Sequence, residues 1–232
     1  MSDVTIARQD SIVTLTFDRP EKLNALTFSM YATVQAEIER VAHDSTVAAI
    51  FLRGAGRSFS AGWDRNEAVP DLAEALRRTN ACRWAIWDSP HPVVAVTQGH
   101  CLGGAFELVL PADLVISTDD CLFGIPEVAD GVAAGFNMLP WLTNHKKAKA
   151  CMLTAGMFGG RAALEWDLVT HLTSAEHLED TVTSVGERLR HVGSSTLAAI
   201  KQDTNQVYES LGMREQIDRS VARHDGVRFL DE

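Results

Sequence analysis

Two glutamates, Glu107 and Glu127, are the candidates for acid–base chemistry. Glu107 lies in the apolar run GHCLGGAFELVL, three residues after Gly104. A buried carboxylate without a partner is costly, so Glu107 either pairs with a basic residue or a backbone N–H, or performs chemistry. Glu127 follows Pro126, and because proline fixes φ and disfavours helix before it, we expect Glu127 on a rigid extended turn. Two carboxylates held by separate elements can divide the acid and base roles.

Two glycine-containing turns are candidates for binding a polarised carbonyl group. One spans residues 57–64 and the other spans residues 99–107. Glycine lets the backbone approach a ligand closely, and the first N–H groups of a helix lack internal acceptors. If N–H groups from both turns converge, they form an oxyanion hole. The alternative is that both turns only connect secondary-structure elements.

The elements that must position these groups repeat a pattern of strand, glycine turn and helix. Alternating or continuous apolar residues predict strands at 11–17, 47–53, 92–97 and 113–117. Helices are expected after Thr27, a candidate N-cap, and from the pair at 103–104. Beyond Gly135 the spacing predicts helices at 146–154, 161–166, 175–192 and 194–210, with a strand at 168–172. The sequence therefore predicts an α/β core over residues 1–172 and a helical region over residues 173–232.

The composition excludes several classes of protein. The chain has 232 residues, of which 46% are hydrophobic and 22% charged, as in ordinary globular proteins. A formal net charge of −10 argues against nucleic acid as a partner. With no apolar run of about 18 residues and no signal-peptide pattern, we expect no membrane partner and a cytoplasmic location. The four cysteines lack zinc-site spacing, so we expect reduced, buried thiols and no metal.

Five stretches of the chain, in order, resemble the crotonase superfamily, the enoyl-CoA hydratase/isomerase family. They cover residues 18–26, 59–64, 99–113, 123–135 and 153–169. Each motif alone is weakly specific, but five in register extend over nearly the whole chain. The resemblance implies a spiral of ββα units followed by C-terminal helices that assemble trimers or hexamers.

The same resemblance implies where a substrate binds. The thioester carbonyl of an acyl-CoA would lie between the backbone N–H groups of Trp63 and Gly104. Glu107 and Glu127 match the two glutamates of hydratases. Coenzyme A would enter only as part of the substrate, with no separate cofactor. Two departures stand out: Trp63 is bulky where the family usually has Ala or Gly, and Asp130 stands where the residue is commonly apolar.

Further positions match or adjoin substrate- and CoA-binding positions of the resembling family. They are Lys22, Ala25, Arg57, Ala61, Asp64 and Arg65. The basic residues among them would lie near the CoA phosphates and adenine. The alternative for each is a solvated surface residue.

The reaction that these features predict is hydration of a 2-enoyl-CoA, or its reverse. Glu107 would activate water, and Glu127 would deliver the proton at C2. Because the two carboxylates must reach one water molecule, their repulsion should raise the pKa of one of them. One alternative is another reaction of the family: double-bond isomerisation, hydrolysis or C–C cleavage. The other is a non-catalytic acyl-CoA-binding protein.

The C-terminal helices also predict assembly. Apolar residues recur at helical spacing over both, namely Val182, Val185, Leu189, Leu197, Ile200 and Val207. Helices of this kind need a surface to bury against. In the resembling family a neighbouring subunit supplies part of that surface, so we expect a homotrimer or homohexamer.

Overall fold

The computed structural model describes residues 3–69 and 71–224. Its strands are β1 Val4–Gln9, β2 Ile12–Phe17, β3 Ala49–Gly54, β4 Val93–Thr97, β5 His100–Leu102, β6 Leu114–Thr118, β7 Leu122–Gly124, β8 Phe158–Gly159 and β9 His171–Thr173. Its helices are α1 Phe28–Val41, α2 Leu72–Asp88, α3 Gly104–Val109, α4 Leu139–Leu142, α5 His145–Thr154, α6 Gly160–Glu165, α7 Leu178–Val192, α8 Ser194–Ser210 and α9 Met213–His224.

The strands form two sheets. The larger has the order β1-β2-β3-β4-β6-β9, and the smaller has the order β5-β7-β8. In the larger sheet β1 runs antiparallel to β2, and the other neighbours are parallel. Every residue of β4 is buried, as its continuous apolar sequence predicts for a strand covered on both faces. The predicted α/β class is confirmed.

The predicted strands β2, β3, β4 and β6 are confirmed within two residues at each end. Helix α1 begins where expected, since Thr27 Oγ1 accepts a hydrogen bond from the Met30 N–H at 3.4 Å. The strand expected at 168–172 begins later, as β9, which forms an edge of the larger sheet. It crosses the predicted boundary between residues 172 and 173. Sequence analysis did not predict β1, α2 or α9.

Helix α7 buries its apolar stripe within its own chain. Leu178 and Val185 are buried on the outer face of the larger sheet, and Val182 and Leu189 pack against the same cluster. The apolar residues of α7 therefore need no neighbouring subunit to cover them. The apolar residues of α8 are less covered by their own chain, since Ile200 and Val207 are 57% and 59% exposed.

The cysteine prediction is confirmed: Cys82, Cys101, Cys121 and Cys151 are all free and buried. Burial raises the pKa of the Cys82 thiol to about 12, so it stays protonated at neutral pH.

Among the described helices, none combines the length and apolar character that crossing a lipid bilayer requires.

Candidate active site

One cavity of about 400 Å³ brings together most of the residues that the sequence proposes for the site. Its lining includes Ala61, Trp63, Arg65, Gly104, Glu107 and Glu127. These residues come from the loop after β3, from α3 and from the short helix after β7. Helix α2, which sequence analysis did not predict, supplies a further part of the wall.

Gly103 makes the close approach between α3 and Glu127 possible. Its φ of 53° and ψ of −128° define a backbone conformation that essentially only glycine adopts. A Cβ atom at this position would lie 2.6 Å from Glu127 Oε1. The chain therefore turns into α3 at Gly103 and leaves the Glu127 carboxyl group directly against the turn.

Two backbone N–H groups from separate turns lie at this cavity. The Leu26 N–H donates to the Gly62 carbonyl, and the Leu26 carbonyl accepts from the Asp64 N–H. Because these two partners lie on either side of Trp63, the Trp63 N–H faces away from Leu26. Gly104 is the first residue of α3, so its N–H has no acceptor within the helix. In the described part of the chain, neither N–H donates to a protein acceptor. The pair has the composition of an oxyanion hole.

Glu107 has the structural partners that sequence analysis left open as an alternative. It is 3% exposed. Its Oε2 accepts from Arg83 Nη2 at 2.7 Å, and its Oε1 accepts from the Phe136 N–H at 2.9 Å. Each carboxylate oxygen can accept a second hydrogen bond. A Cβ atom at Gly135 would lie 2.6 Å from Leu76 Cδ2 and 3.6 Å from Glu107 Oε2, so the absence of a side chain lets Leu76 pack close to this backbone.

Arg83 is a charged residue of the cavity that sequence analysis missed. It lies in α2, is 2% exposed and lines the cavity. Its Nη1 donates to Thr79 Oγ1 and to Asn80 Oδ1, one helical turn earlier. Its Nε is buried without a hydrogen-bond partner among the described residues. The feature of the sequence that could have indicated Arg83 is a basic residue between two apolar residues in a stretch with helical spacing.

Glu127 does not lie on an extended turn, and that expectation is wrong. It belongs to a 3₁₀ helix, Pro126–Asp130, with proline at the first position. Proline is well tolerated in the first turn of a helix, and the residue that it restricts is the preceding one. Ile125 accordingly has φ −123° and ψ 71°.

Burial and, secondly, the charge of Glu107 raise the pKa of Glu127 from 4.5 to about 7. The sequence argument expected repulsion between the carboxylates to raise one pKa; repulsion contributes, but burial is the larger cause. A group with this pKa keeps a large part of its proton at neutral pH and is suited to act as a general acid.

The indole of Trp63 forms part of the cavity wall. It packs edge-on against Phe28, with 4.6 Å between ring centroids, and lies 6.3 Å from the ring of Tyr31. The Tyr31 hydroxyl donates to the Gly104 carbonyl at 3.0 Å and so ties α1 to the start of α3. The rest of the wall is largely apolar and consists of Val69, Leu72, Ala75, Leu76, Val132 and Ala133.

Arg65 and Asp130 form an ion pair at the cavity, with 2.8 Å between Nη2 and Oδ2. Both side chains are mostly exposed, at 84% and 58%. The unusual acidic residue is therefore the counter-ion of the predicted CoA-binding arginine. Exposed pairs of this kind contribute little to stability.

Four of the proposed binding residues do not line the cavity. Lys22 and Arg57 are exposed on the surface, and Ala25 offers its carbonyl to Arg19 at 2.7 Å. Asp64 is buried and pairs with Arg19 at 2.9 Å. The hydrogen bond from the Asn66 N–H and, to a smaller extent, the bond from Arg19 hold the pKa of Asp64 below its usual range. Contacts of these residues with coenzyme A remain predictions.

Among the described residues, no group of three or more His, Cys, Asp or Glu is placed to hold a metal ion.

The α/β fold thus places two carboxylates and two backbone N–H groups, which have no protein acceptor among the described residues, around one cavity. The chain belongs to the enoyl-CoA hydratase/isomerase family, whose model matches residues 7–225. The resemblance seen in the sequence is thus confirmed.

Similar proteins of known activity differ in the reaction they catalyse. The 2,3-dehydroadipyl-CoA hydratase of Escherichia coli is 27% identical, over 98% of this chain and 94% of its own length. The hydroxycinnamoyl-CoA hydratase-lyase of Pseudomonas fluorescens is 25% identical, over 99% and 92%. The 1,2-epoxyphenylacetyl-CoA isomerase of E. coli is 27% identical, over 93% and 88%.

Solved structures confirm the crotonase fold, including the C-terminal helices. An enoyl-CoA hydratase/isomerase from Xanthobacter autotrophicus superposes with a TM-score of 0.93 and 28% identity, over 98% of this chain and 88% of that one. A probable enoyl-CoA hydratase from Mycobacterium smegmatis gives a TM-score of 0.90 and 26% identity, over 97% and 93%. The family and the fold are therefore established, while the relatives span hydratase, lyase and isomerase reactions.

Proposed function

We propose that the protein adds water to a 2-enoyl-CoA thioester to form the 3-hydroxyacyl-CoA, or catalyses the reverse. The observation that carries this proposal is the meeting of two carboxylates and two free N–H groups in one cavity. A protein that only binds acyl-CoA needs no pair of carboxylates, one buried and one half-buried, beside the thioester site.

The N–H groups of Trp63 and Gly104 would hold the thioester oxygen. As water adds at C3, the π electrons of the double bond move onto the thioester and build negative charge on that oxygen. Donors fixed in advance at the developing charge typically contribute about 3–4 kcal/mol each to transition-state stabilisation. Donors from two separate turns also fix the orientation of the carbonyl, and with it the position of C2 and C3.

Glu107 and Glu127 would then move the protons. The water oxygen bonds to C3 while Glu107 accepts one of its protons, and Glu127 gives its own proton to C2. The product carries one added water, and solvent returns the proton from Glu107 to Glu127 before the next turnover. The pKa of about 7 for Glu127 supports this assignment, because the donor must be protonated at the start.

The acyl group is proposed to be apolar, because the cavity wall beyond the carboxylates is formed mainly by aliphatic side chains. Because the names of the relatives include both aromatic and dicarboxylic acyl-CoAs, an assay must establish which acyl groups this protein accepts. Coenzyme A is proposed only as part of the substrate.

Assembly into a homotrimer or homohexamer is part of the proposal. Ile200, Val207 and Leu211 of α8 and the adjoining turn are 57%, 59% and 68% exposed. Exposed apolar side chains along one helix favour burial in an interface. Light scattering of the dilute protein is expected to give a multiple of 25.3 kDa. A single species of monomer mass would contradict this part.

A second candidate reaction is the shift of a double bond between the 3,4 and 2,3 positions. The ion pair between Arg83 and Glu107 favours it, since Glu107 gives up that pairing when it accepts a proton. Glu127 alone would remove a proton from C2 and return it at C4, with no net gain of atoms. The similar 1,2-epoxyphenylacetyl-CoA isomerase shows that the family includes isomerases.

The test is an assay of the purified protein against short, long, branched and aromatic 2-enoyl-CoAs. Hydration predicts loss of the absorbance of the conjugated thioester and a product heavier by one water. Isomerisation predicts instead that 3-enoyl-CoA gains this absorbance with no change in mass. Tight binding without turnover over the whole panel would contradict both and support a non-catalytic acyl-CoA-binding protein.

A further inference from the structure

Two carboxylates share the cavity, and only one of them has a cationic partner among the described residues. Arg83 Nη2 lies 2.7 Å from Glu107 Oε2, and both side chains are almost completely buried. Glu127 forms no ion pair with a described residue, and its carboxyl group lies against Gly103. The two glutamates therefore have different electrostatic surroundings although they line one cavity.

Arg83 is held so that its charge stays directed at Glu107. Nη1 donates to Thr79 Oγ1 and Asn80 Oδ1, while Nη2 donates to Glu107. Asn80 is itself anchored, since its Nδ2 donates to the Gly135 carbonyl at 3.0 Å. The planar guanidinium donates from both ends, so its plane is fixed relative to α2 and α3.

We infer that Arg83 is a positioning residue that assigns the two protonation states of the site, keeping Glu107 ionised and leaving the proton on Glu127. Two carboxylates in one low-dielectric cavity do not both ionise readily, so one of them keeps a proton. A guanidinium remains charged in a folded protein and stabilises a bonded carboxylate anion. The catalytic use of this division rests on the proposed hydration, in which Glu107 accepts a proton and Glu127 donates one.

Other groups around the two carboxylates do not take over this role. The titratable and charged groups that face the pair from neighbouring elements are Tyr31, Cys82, Cys151, Arg65 and Asp130. Burial raises the pKa of the phenol and of both thiols above their usual values, so they stay protonated near neutral pH. Arg65 is paired with Asp130 at 2.8 Å. Within the described residues, Arg83 is thus the cation that is directed at the buried carboxylate, Glu107.

The first experiment compares pH–rate profiles of the wild type, Arg83→Gln and Arg83→Lys. Arg83→Gln is expected to lower kcat at neutral pH at least about tenfold and to move the acid limb of the profile towards neutrality, because Glu107 then takes up a proton. Arg83→Lys keeps a positive charge and is expected to restore the wild-type shape. Arg77→Gln removes a charge from an exposed pair on the same helix and serves as the control.

A merely structural role for Arg83 predicts a different result. The Arg83→Gln profile would then be the wild-type profile scaled down by one factor at every pH. That outcome would overturn the inference.

The second experiment does not depend on turnover. Glutamate side chains labelled with ¹³C at Cδ are titrated by NMR in the wild type, and the Glu107 resonance is identified by its absence in Glu107→Gln. Glu107 is expected to stay at its ionised shift through the neutral range while Glu127 titrates. Titration of Glu107 in that range overturns the inference, even if Arg83→Gln fails to fold. The expected titration in a protein that turns over no acyl-CoA would instead refute the proposed function alone.

Discussion

Two ion pairs of this protein, each with a buried cation, have similar partners but different surroundings. Arg83 and Glu107 lie at the cavity, and Lys201 of α8 pairs with Asp113 at 2.7 Å beneath the C-terminal helices. Lys201 Nζ also donates to the Ile86 and His91 carbonyls, which uses all three of its donors. The second pair therefore fastens α8 to the core.

The difference shows that a carboxylate paired with a buried cation does not by itself indicate catalysis. Asp113 belongs to the same stretch of family resemblance as Glu107, and both pair with a buried cation. Glu107 differs because it faces an open cavity, a second carboxylate and two N–H groups without protein acceptors. Unused hydrogen-bonding capacity beside a cavity is the feature that separates the candidate active site from the structural pair.

The largest expected effect concerns the pair beneath α8. Lys201→Met leaves the largely buried Asp113 without its cation and is expected to lower the free energy of unfolding by about 3–5 kcal/mol. The kcat of the remaining folded enzyme should not change. Urea denaturation and steady-state kinetics measure the two quantities. Arg219→Gln, which breaks the exposed pair with Glu215, is the control and should cost less than about 1 kcal/mol.

Replacement of Gly104 tests the oxyanion donor on the other side of the comparison. Gly104→Pro removes the N–H and is expected to lower kcat by about 10²–10³. Gly104→Ala adds the same Cβ, 2.9 Å from the Tyr31 hydroxyl, but keeps the donor. Equal losses in the two variants would show that crowding, rather than the missing donor, is responsible.

Glu127→Gln is expected to lower kcat at least about a hundredfold while the protein still folds. In the wild type, kcat/KM should fall as pH rises through about 7, because the pKa of Glu127 lies there and the protonated form donates. The amide cannot titrate, so this limb should disappear from the residual activity. An unchanged limb in Glu127→Gln would assign the ionisation to another group.

The smallest expected effect concerns the indole at the cavity wall. Trp63→Ala keeps the backbone N–H but removes the ring that packs against Phe28 and Tyr31. Relative kcat/KM for longer or bulkier acyl chains is expected to rise by roughly tenfold. An unchanged chain-length profile would mean that the indole does not shape the acyl site.

Local sequence features predicted much of the fold and the polar groups of the site. Glycine turns before helical patterns indicated the N–H donors, and continuous apolar runs indicated the buried strands. The resemblance then identified Glu107 and Glu127 as the residues that match the two glutamates of hydratases. These features depend on near neighbours or on motifs, which a single sequence contains.

The partners of the buried carboxylates could not be predicted in this way. Arg83 meets Glu107 across 24 positions and Lys201 meets Asp113 across 88, so both pairings depend on how helices pack. The 3₁₀ helix at Glu127 was missed because the restriction that Pro126 imposes was assigned to the residue after it instead of before it.

The most direct test of the account is the fate of labelled water. The wild type is incubated with crotonyl-CoA in H₂¹⁸O, and the product is examined by mass spectrometry. The account predicts 3-hydroxybutyryl-CoA with ¹⁸O at C3, formed far more slowly by Glu127→Gln and at the wild-type rate per folded enzyme by Lys201→Met. Conversion of enoyl-CoA substrates to unlabelled isomers, with no ¹⁸O incorporated, would contradict it.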